Sequence, residues 1–534
     1  MMPAPTAHLD TWVRDRLPPR EQWPSLIFDL PELQYPERLN CACELLDRNV
    51  HEHAAGVAIR GAGGDWSYAR LADAVNRICQ VLVADLGVVP GNRVLLRAPN
   101  SPMLIAAWLA VVKVGGIVVT TMPMLRSREL AGLLEKAQIR VALCDYTLVA
   151  ELRPLCGDGS VLRRILTWGD GEMEARMSAK TASFTAIATA QDDPCLIAFT
   201  SGTTGAPKAT VHFHRDVLAM ADTFARHILR PDRADVFAGT PPLAFTYGLG
   251  AELVFPFRFG AGTALLAGTS PEQLAESLQR FEVTRLFTAP TAYRSLLREF
   301  PDARFPRVRS FISAGEHLPR STSDAWYDSS GCRIIDGIGA TEMIHIFISA
   351  ADQAIRPGST GRAVPGYRAC VLDEELHPLP PGTVGRLAVQ GPTGCRYLAD
   401  ERQTDYVKGG WNLTGDSYSM DEDGYFWFQS RTDDMIISSG YNICGPEVEG
   451  ALLEHPAVAE CAVVGAPDPE RGHIVKAFVV PRDPQSADAS LTRLLQEFVK
   501  KTIAPYKYPR AIEYVSSLPR TQTGKLQRFK LRDG

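Results

Sequence analysis

The sequence predicts an α/β protein: a large N-terminal unit of layered sheets and helices, followed by a small C-terminal α/β unit. Three observations carry that expectation. Short β-rich apolar runs alternate with helix-patterned stretches, 534 residues are too many for one core, and the character of the chain changes near residue 430.

The apolar runs lie at 93–96, 141–144, 196–199, 286–288, 311–313 and 333–335, with helix-patterned stretches at 271–281 and 291–300. Alternation of this kind predicts βαβ units and largely parallel sheets, whose ligands bind in the turns beyond the strand ends. The window 103–121 is the most apolar of the chain, but it carries Lys113 and the pair Gly115-Gly116. It predicts a buried helix, a turn and a strand at 117–120 rather than a membrane span. Pro380-Pro381-Gly382 and the aromatic run 424–428 predict turns and β-structure. Beyond residue 430, helices are expected at 446–454 and 491–503 and strands at 458–465 and 477–480, a unit of about a hundred residues.

With 45% hydrophobic and 22% charged residues and a net charge of -5, the composition is that of a soluble globular protein with no case for nucleic acid or an anionic membrane as partner. The N-terminal run lacks the apolar core of a signal peptide. Eleven cysteines are scattered without a CxxC pair, as expected of small buried hydrophobes in a reducing cytoplasm. Nothing in the composition bears on oligomeric state, and a homodimer stays open.

The chemistry concentrates in five segments. After the 196–199 strand comes Thr200-Ser201-Gly202-Thr203-Thr204-Gly205-Ala206-Pro207-Lys208. Glycines let backbone N–H groups turn toward an anion, and hydroxyls with one lysine suit polyphosphate, although the spacing is not that of the Walker loop. Gly337-Ile338-Gly339-Ala340-Thr341-Glu342 follows the 333–335 strand; its glycines allow close approach of a planar ligand, and Glu342 offers oxygen to Mg²⁺. Thr414-Gly415-Asp416 supplies a carboxylate for ribose hydroxyls. Arg431-Thr432-Asp433-Asp434 lies at the expected domain boundary, ahead of Ser438-Ser439-Gly440-Tyr441, and the 518–525 run ends in a loop with Lys525. Each alone has a bland account as a turn or a solvated charge cluster. Their joint order is what counts.

In that order and with those flanks, the chain resembles the adenylate-forming superfamily of acyl- and aryl-CoA synthetases, adenylation domains and firefly-type luciferases, over nearly its whole length. The runs 241–248, 336–348 and 391–398 (GPTGCRYL) are most similar to benzoate-type and 2-aminobenzoate–CoA ligases. The resemblance implies the adenylate-forming fold, with residues 1–432 binding ATP and carboxylate and residues 433–534 forming a mobile domain hinged at Asp433. It implies ATP, Mg²⁺ and coenzyme A, with an aromatic acid carried through an acyl-adenylate to its thioester. Thr200, Ser201, Gly202, Thr203, Thr204, Gly205 and Lys208 would hold the β- and γ-phosphates, Thr341 the α-phosphate, and Glu342 the metal. Gly315, Glu316, Asp336 and Gly337 would wall the adenine, Asp416 with Arg431 nearby would bind the ribose, Lys525 would bridge the carboxylate and α-phosphate, and Gly440 would pass the thiol arm of CoA.

Ala244, Phe245, Tyr247, Gly248, Ala314, Gly339 and His345 would line the acid site, small residues on two sides and aromatics on a third making a flat slot. His345 is placed to meet a 2-amino or 2-hydroxy substituent, or else is structural; one of His212 and His214 is expected near the acyl group. Ile338 stands where many relatives have an aromatic residue, and Ala209 where the phosphate loop usually has another glycine. A short- or medium-chain fatty acyl-CoA ligase and a stand-alone enzyme loading a carrier protein are the alternatives.

Overall fold

The computed structural model describes residues 5–200, 207–302, 304–431, 436–438, 441–468, 472–503, 505–520 and 526–532. Two large sheets form the N-terminal unit. One has six strands in the order Arg164–Trp168, Val141–Asp145, Arg93–Arg97, Ile117–Thr121, Pro194–Phe199 and Ala209–Phe213, parallel except for the last pair. The other has nine strands, with a parallel centre in the order Ile334–Gly339, Ser310–Ser313, Arg285–Thr288, Val236–Gly239, Gly262–Ala264 and Val57–Arg60. Antiparallel strands close both ends, Ile346–Ser349 and Arg362–Ala363 at one and Trp66–Ser67 at the other.

Helices fill the space against these sheets. Pro102–Lys113 starts on the Ser101 side chain, which accepts from the Leu104 N–H at 3.2 Å, and has proline at its first turn. It is buried from Leu104 to Lys113, which is why its sequence is apolar all round. Lys113 is not left unpaired there: its Nζ donates to Asp47 at 2.7 Å and Asn76 at 2.9 Å. The expected helix, turn and strand of the 103–121 window are all present, and among the described residues no helix is long and apolar enough to cross a membrane. All eleven cysteines are free.

A five-stranded antiparallel sheet spans Arg368–Leu372 to Phe426–Arg431. The small unit follows, with strands Ile436–Ser438, Tyr441–Ile443, Val458–Asp468, Gly472–Pro481 and Ala511–Tyr514 in one sheet. Helices Gly445–Leu453 and Ala489–Thr502 pack on that sheet through Val448, Leu452, Leu495 and Val499, and this core is distinct from those of the large unit.

One expected strand is longer than its pattern. The 333–335 run continues to Gly339, turns at Thr341–Met343 and returns antiparallel as Ile346–Ser349. Asp336 and Gly337 therefore sit on the strand rather than beyond it. A Cβ at Gly337 would lie 2.8 Å from Ile346 Cγ2, and one at Gly339 would lie 2.8 Å from the His345 backbone. The returning strand itself demands these glycines.

Candidate active site

Several predicted site residues follow the C-terminal ends of parallel strands: Thr200 after Pro194–Phe199, Ala314 and Gly315 after Ser310–Ser313, and Thr341 and Glu342 after Ile334–Gly339, whereas Asp416 and Arg431 lie on the antiparallel sheet. The Thr200 N–H donates to the Lys208 carbonyl at 3.0 Å, joining the two residues that flank 201–206. Lys208 Nζ lies 5.0 Å from the centre of the Tyr397 ring, a cation–π approach. Ser201, Gly202, Thr203, Thr204 and Gly205 lie outside the described residues, as do Asp433, Gly440 and Lys525.

The turn Thr341–Met343 carries Glu342, whose side chain is buried at 9% exposure. Ile344 closes the turn at φ 66°, a left-handed conformation that a β-branched residue holds only at a cost of about 1–3 kcal/mol. Three hydrogen bonds hold the turn and its carboxylate. The His212 Nε2–H donates to the Thr341 carbonyl at 2.8 Å, the Thr393 hydroxyl to the Met343 carbonyl at 2.8 Å, and the Tyr397 hydroxyl to Glu342 Oε1 at 2.5 Å. His212 thus braces the Thr341–Met343 turn. His214 accepts from the Cys41 N–H at 3.2 Å, deep in the core.

Behind the turn lies a buried ion pair: Arg396 Nη1 stands 2.8 Å from Asp216 Oδ2, with neither side chain exposed. The Asp216 carboxylate also accepts from the Phe213 N–H at 3.0 Å. The Arg396 carbonyl accepts from Val211 N–H and the Ala209 carbonyl from Leu398 N–H, so 396–398 runs as an added edge along Ala209–Phe213.

Gly315 follows strand Ser310–Ser313 and Ala314 at φ +89°, a conformation that favours glycine. Glu316 accepts from the Thr291 hydroxyl at 2.7 Å and from Arg520 Nη1 at 3.2 Å. Arg520 also donates to Glu460 at 2.8 Å, so one guanidinium spans the large and small units. Arg520 and Leu526, which flank residues 521–525, pair with each other antiparallel. Burial pushes the Asp336 carboxyl up to about 8. Asp416, buried on Trp411–Met420, stands across the ladder from Arg431.

The expected acid-site residues lie among aromatics. Tyr247 belongs to the short helix Thr246–Leu249 and donates to the Thr288 carbonyl at 3.2 Å. Burial holds its phenol well above its ordinary range, so it stays a donor. His345, 3% exposed, is enclosed by Phe255 at 4.5 Å and by Phe224 and Tyr247 at 5.6 Å each. Neither ring nitrogen has a hydrogen-bond partner of good geometry among the described residues, and burial pushes the ring down to about 3, so it is neutral at pH 7. A Cβ at Gly248 would lie 2.1 Å from the Pro242 carbonyl, and one at Gly250 would lie 2.5 Å from His345 Cδ2. Glycine at 250 lets the chain close on the His345 ring, and glycine at 248 lets it pack against the Pro241-Pro242 backbone. Phe245 and Ala244 are half-buried beside it, the Ala244 carbonyl accepting from the Thr120 hydroxyl at 3.0 Å.

Pattern alone did not reveal the roles of Tyr397, Thr393 and Arg396, although all three lie in the GPTGCRYL run; nor did it reveal the Arg520 bridge.

Comparison with known proteins identifies the family and the fold. Residues 46–397 match the AMP-binding enzyme family and residues 447–525 the AMP-binding enzyme C-terminal domain. The chain is 35% identical to a benzoate–CoA ligase of Thauera aromatica over 94% of its length and 97% of the relative's. It is 33% identical to the mitochondrial acyl-coenzyme A synthetase ACSM3 of Mus musculus, over 94% and 91%. The crystal structure of the anthranilate CoA ligase AuaEII in complex with anthranoyl-AMP superposes with a TM-score of 0.89 at 32% identity, covering 94% of this chain and 98% of that one. The chain belongs to the AMP-binding, adenylate-forming enzyme family and is similar to its benzoate– and aminobenzoate–CoA ligases.

Proposed function

We propose that the protein is an ATP-dependent aryl-CoA ligase that activates an aromatic acid of the 2-aminobenzoate or benzoate type and transfers it to CoA. One observation carries the aromatic substrate: the half-buried Tyr247 and the enclosed, neutral His345, tilted 43° to one another, form an aromatic wall next to Gly248 and Gly250 that suits contact with a ring. A ring nitrogen of His345, without a hydrogen-bond partner of good geometry among the described residues, meets a 2-substituent.

An anionic carboxylate must approach the α-phosphate of a polyanion, so the first half-reaction is a problem of charge. Lys208 and the 200–205 hydroxyls and N–H groups hold the departing pyrophosphate. Thr341 holds the α-phosphate, and Lys525 offsets charge between the carboxylate and that phosphate. Glu342 fits a hard divalent cation, because its second oxygen has no hydrogen-bond donor among the described residues while Tyr397 holds the first. Mg²⁺ bound there supplies electrostatic neutralisation of the phosphates. Asp416 and Arg431 seat the ribose, and Gly315, Glu316, Asp336 and Gly337 wall the adenine. CoA thiol then displaces AMP. Residues 433–534 turn about Asp433 between the two steps, withdrawing Lys525 and bringing Gly440 to the thiol arm. Gly440→Trp should spare ATP–pyrophosphate exchange and block thioester formation; equal loss of both would remove this alternation.

The test of substrate is thioester formation with ATP and Mg²⁺ across benzoate, 2-aminobenzoate, hydroxybenzoates, phenylacetate, hexanoate and decanoate. Preference for benzoate or 2-aminobenzoate is the expected result. Preference for an alkyl acid would overturn it in favour of a fatty acyl-CoA ligase, the alternative that the similarity to ACSM3 keeps in view. AMP without thioester would point to a carrier protein as acceptor.

A further inference from the structure

We propose that Tyr397 is a positioning residue that couples the two charged ends of the phosphate site, its hydroxyl aiming the Glu342 carboxylate and its ring seating Lys208. The role rests on Glu342 being the metal ligand.

The geometry is specific. Tyr397 has no exposed surface. Its backbone N–H donates to Gln403 Oε1 at 2.9 Å, and its ring packs edge-on against Tyr406 at 5.9 Å. Its main chain is tied to strand Ala209–Phe213 through neighbours on both sides. The side chain is therefore a rigid strut, with rotamer and backbone both determined by the fold. At its tip the O–H donates to Glu342 Oε1 at 2.5 Å, which orients the carboxylate and leaves Oε2 for the ligand. Its face lies 5.0 Å from Lys208 Nζ. Glu342 needs such support, because it rides on a turn closed by the strained Ile344. His212 and Thr393 hold the turn's main chain, but among the described residues only Tyr397 bonds the Glu342 side chain. The GPTGCRYL run thus supplies an orienting element of the phosphate site as well as a mark of resemblance.

The experiment measures Mn²⁺ affinity of enzyme saturated with α,β-methylene-ATP, by electron paramagnetic resonance of free Mn²⁺, in wild type, Glu342→Gln, Tyr397→Phe and the double variant. Tyr397→Phe keeps the ring and removes one oxygen, and losses of 10- to 100-fold are typical when a partner of a metal ligand is removed. The expected result is a loss of about 10-fold or more, with metal-free nucleotide affinity within about twofold of wild type and no further loss in the double variant than in Glu342→Gln, since both act through one carboxylate. Wild-type affinity in Tyr397→Phe, alongside a weakened Glu342→Gln, would overturn the role of Tyr397. Wild-type affinity in Glu342→Gln would instead overturn the metal assignment, and Tyr397 with it. Thr393→Val frees the Met343 carbonyl while leaving the carboxylate held. A loss there equal to that of Tyr397→Phe would assign the effect to general loosening of the turn and overturn the proposal.

Discussion

Replacing Arg396 with methionine should expose how much of the site's rigidity comes from one buried charge pair. Arg396 and Asp216 are unexposed and 2.8 Å apart, while the next cationic atom, Arg215 Nε, is 3.9 Å from the carboxylate and the neighbouring His212 ring is neutral. At the effective dielectric near 20 that suits buried pairs, unit charges about 4 Å apart attract by about 4 kcal/mol. The guanidinium also lies 4.3 Å from the Phe213 ring centre and 4.9 Å from that of Trp23. Methionine retains the apolar stem, so the loss is dominated by the stranded carboxylate, and breaking one side of a buried pair costs about 3–5 kcal/mol. Unfolding entropy of about 2.1 cal/mol/K per residue over the large unit's roughly 430 residues is about 0.9 kcal/mol/K, so Tm should fall by about 4 °C in calorimetry. Arg396→Met combined with Asp216→Asn removes the uncompensated charge and should recover at least half of that fall. Because Arg396 adjoins Tyr397, the single variant should also raise KM for MgATP. A Tm change under about 1 °C, or a double variant no more stable than the single, would refute the electrostatic account.

Gly250→Ala should displace His345, because the new Cβ would lie 2.5 Å from its Cδ2 and 2.9 Å from Phe255 Cζ. The expected outcome in steady-state assays is a KM for the aromatic acid raised about tenfold, with KM for ATP unchanged and an overpacking cost of about 1–3 kcal/mol; an unchanged acid KM would take His345 out of the acid pocket. Acid should destabilise the protein: burial lowers His212 to about 4 and His345 to about 3 from an ordinary 6.5. The unfolded chain binds protons there that the folded chain does not, so stability is full above pH 6.5 and is lost as pH falls toward 3, by about 1.4 kcal/mol per pKa unit for each ring. His345→Phe should flatten denaturant midpoints measured between pH 6.5 and 4, and a curve parallel to wild type would show that the ring is not buried neutral.

The sequence by itself determined the α/β class and the position of nearly every strand and helix it singled out, because strand periodicity and glycine- and hydroxyl-rich turns are local properties. The limits of locality show at Gly337 and Gly339, whose spacing suggested room for a ligand. Only the folded hairpin revealed that Ile346 and the backbone of His345 pack against them. The same holds for His212, separated by 129 residues from the Thr341 carbonyl it bonds, and for Tyr397, 55 residues from Glu342. No period or spacing encodes such contacts. Tertiary structure alone decided which side chain braces the strained turn, which carboxylate shares a buried arginine, and which guanidinium spans the two units. Hydrogen bonds and ion pairs depend on distance in space, and the strand order that sets those distances is a property of the whole fold.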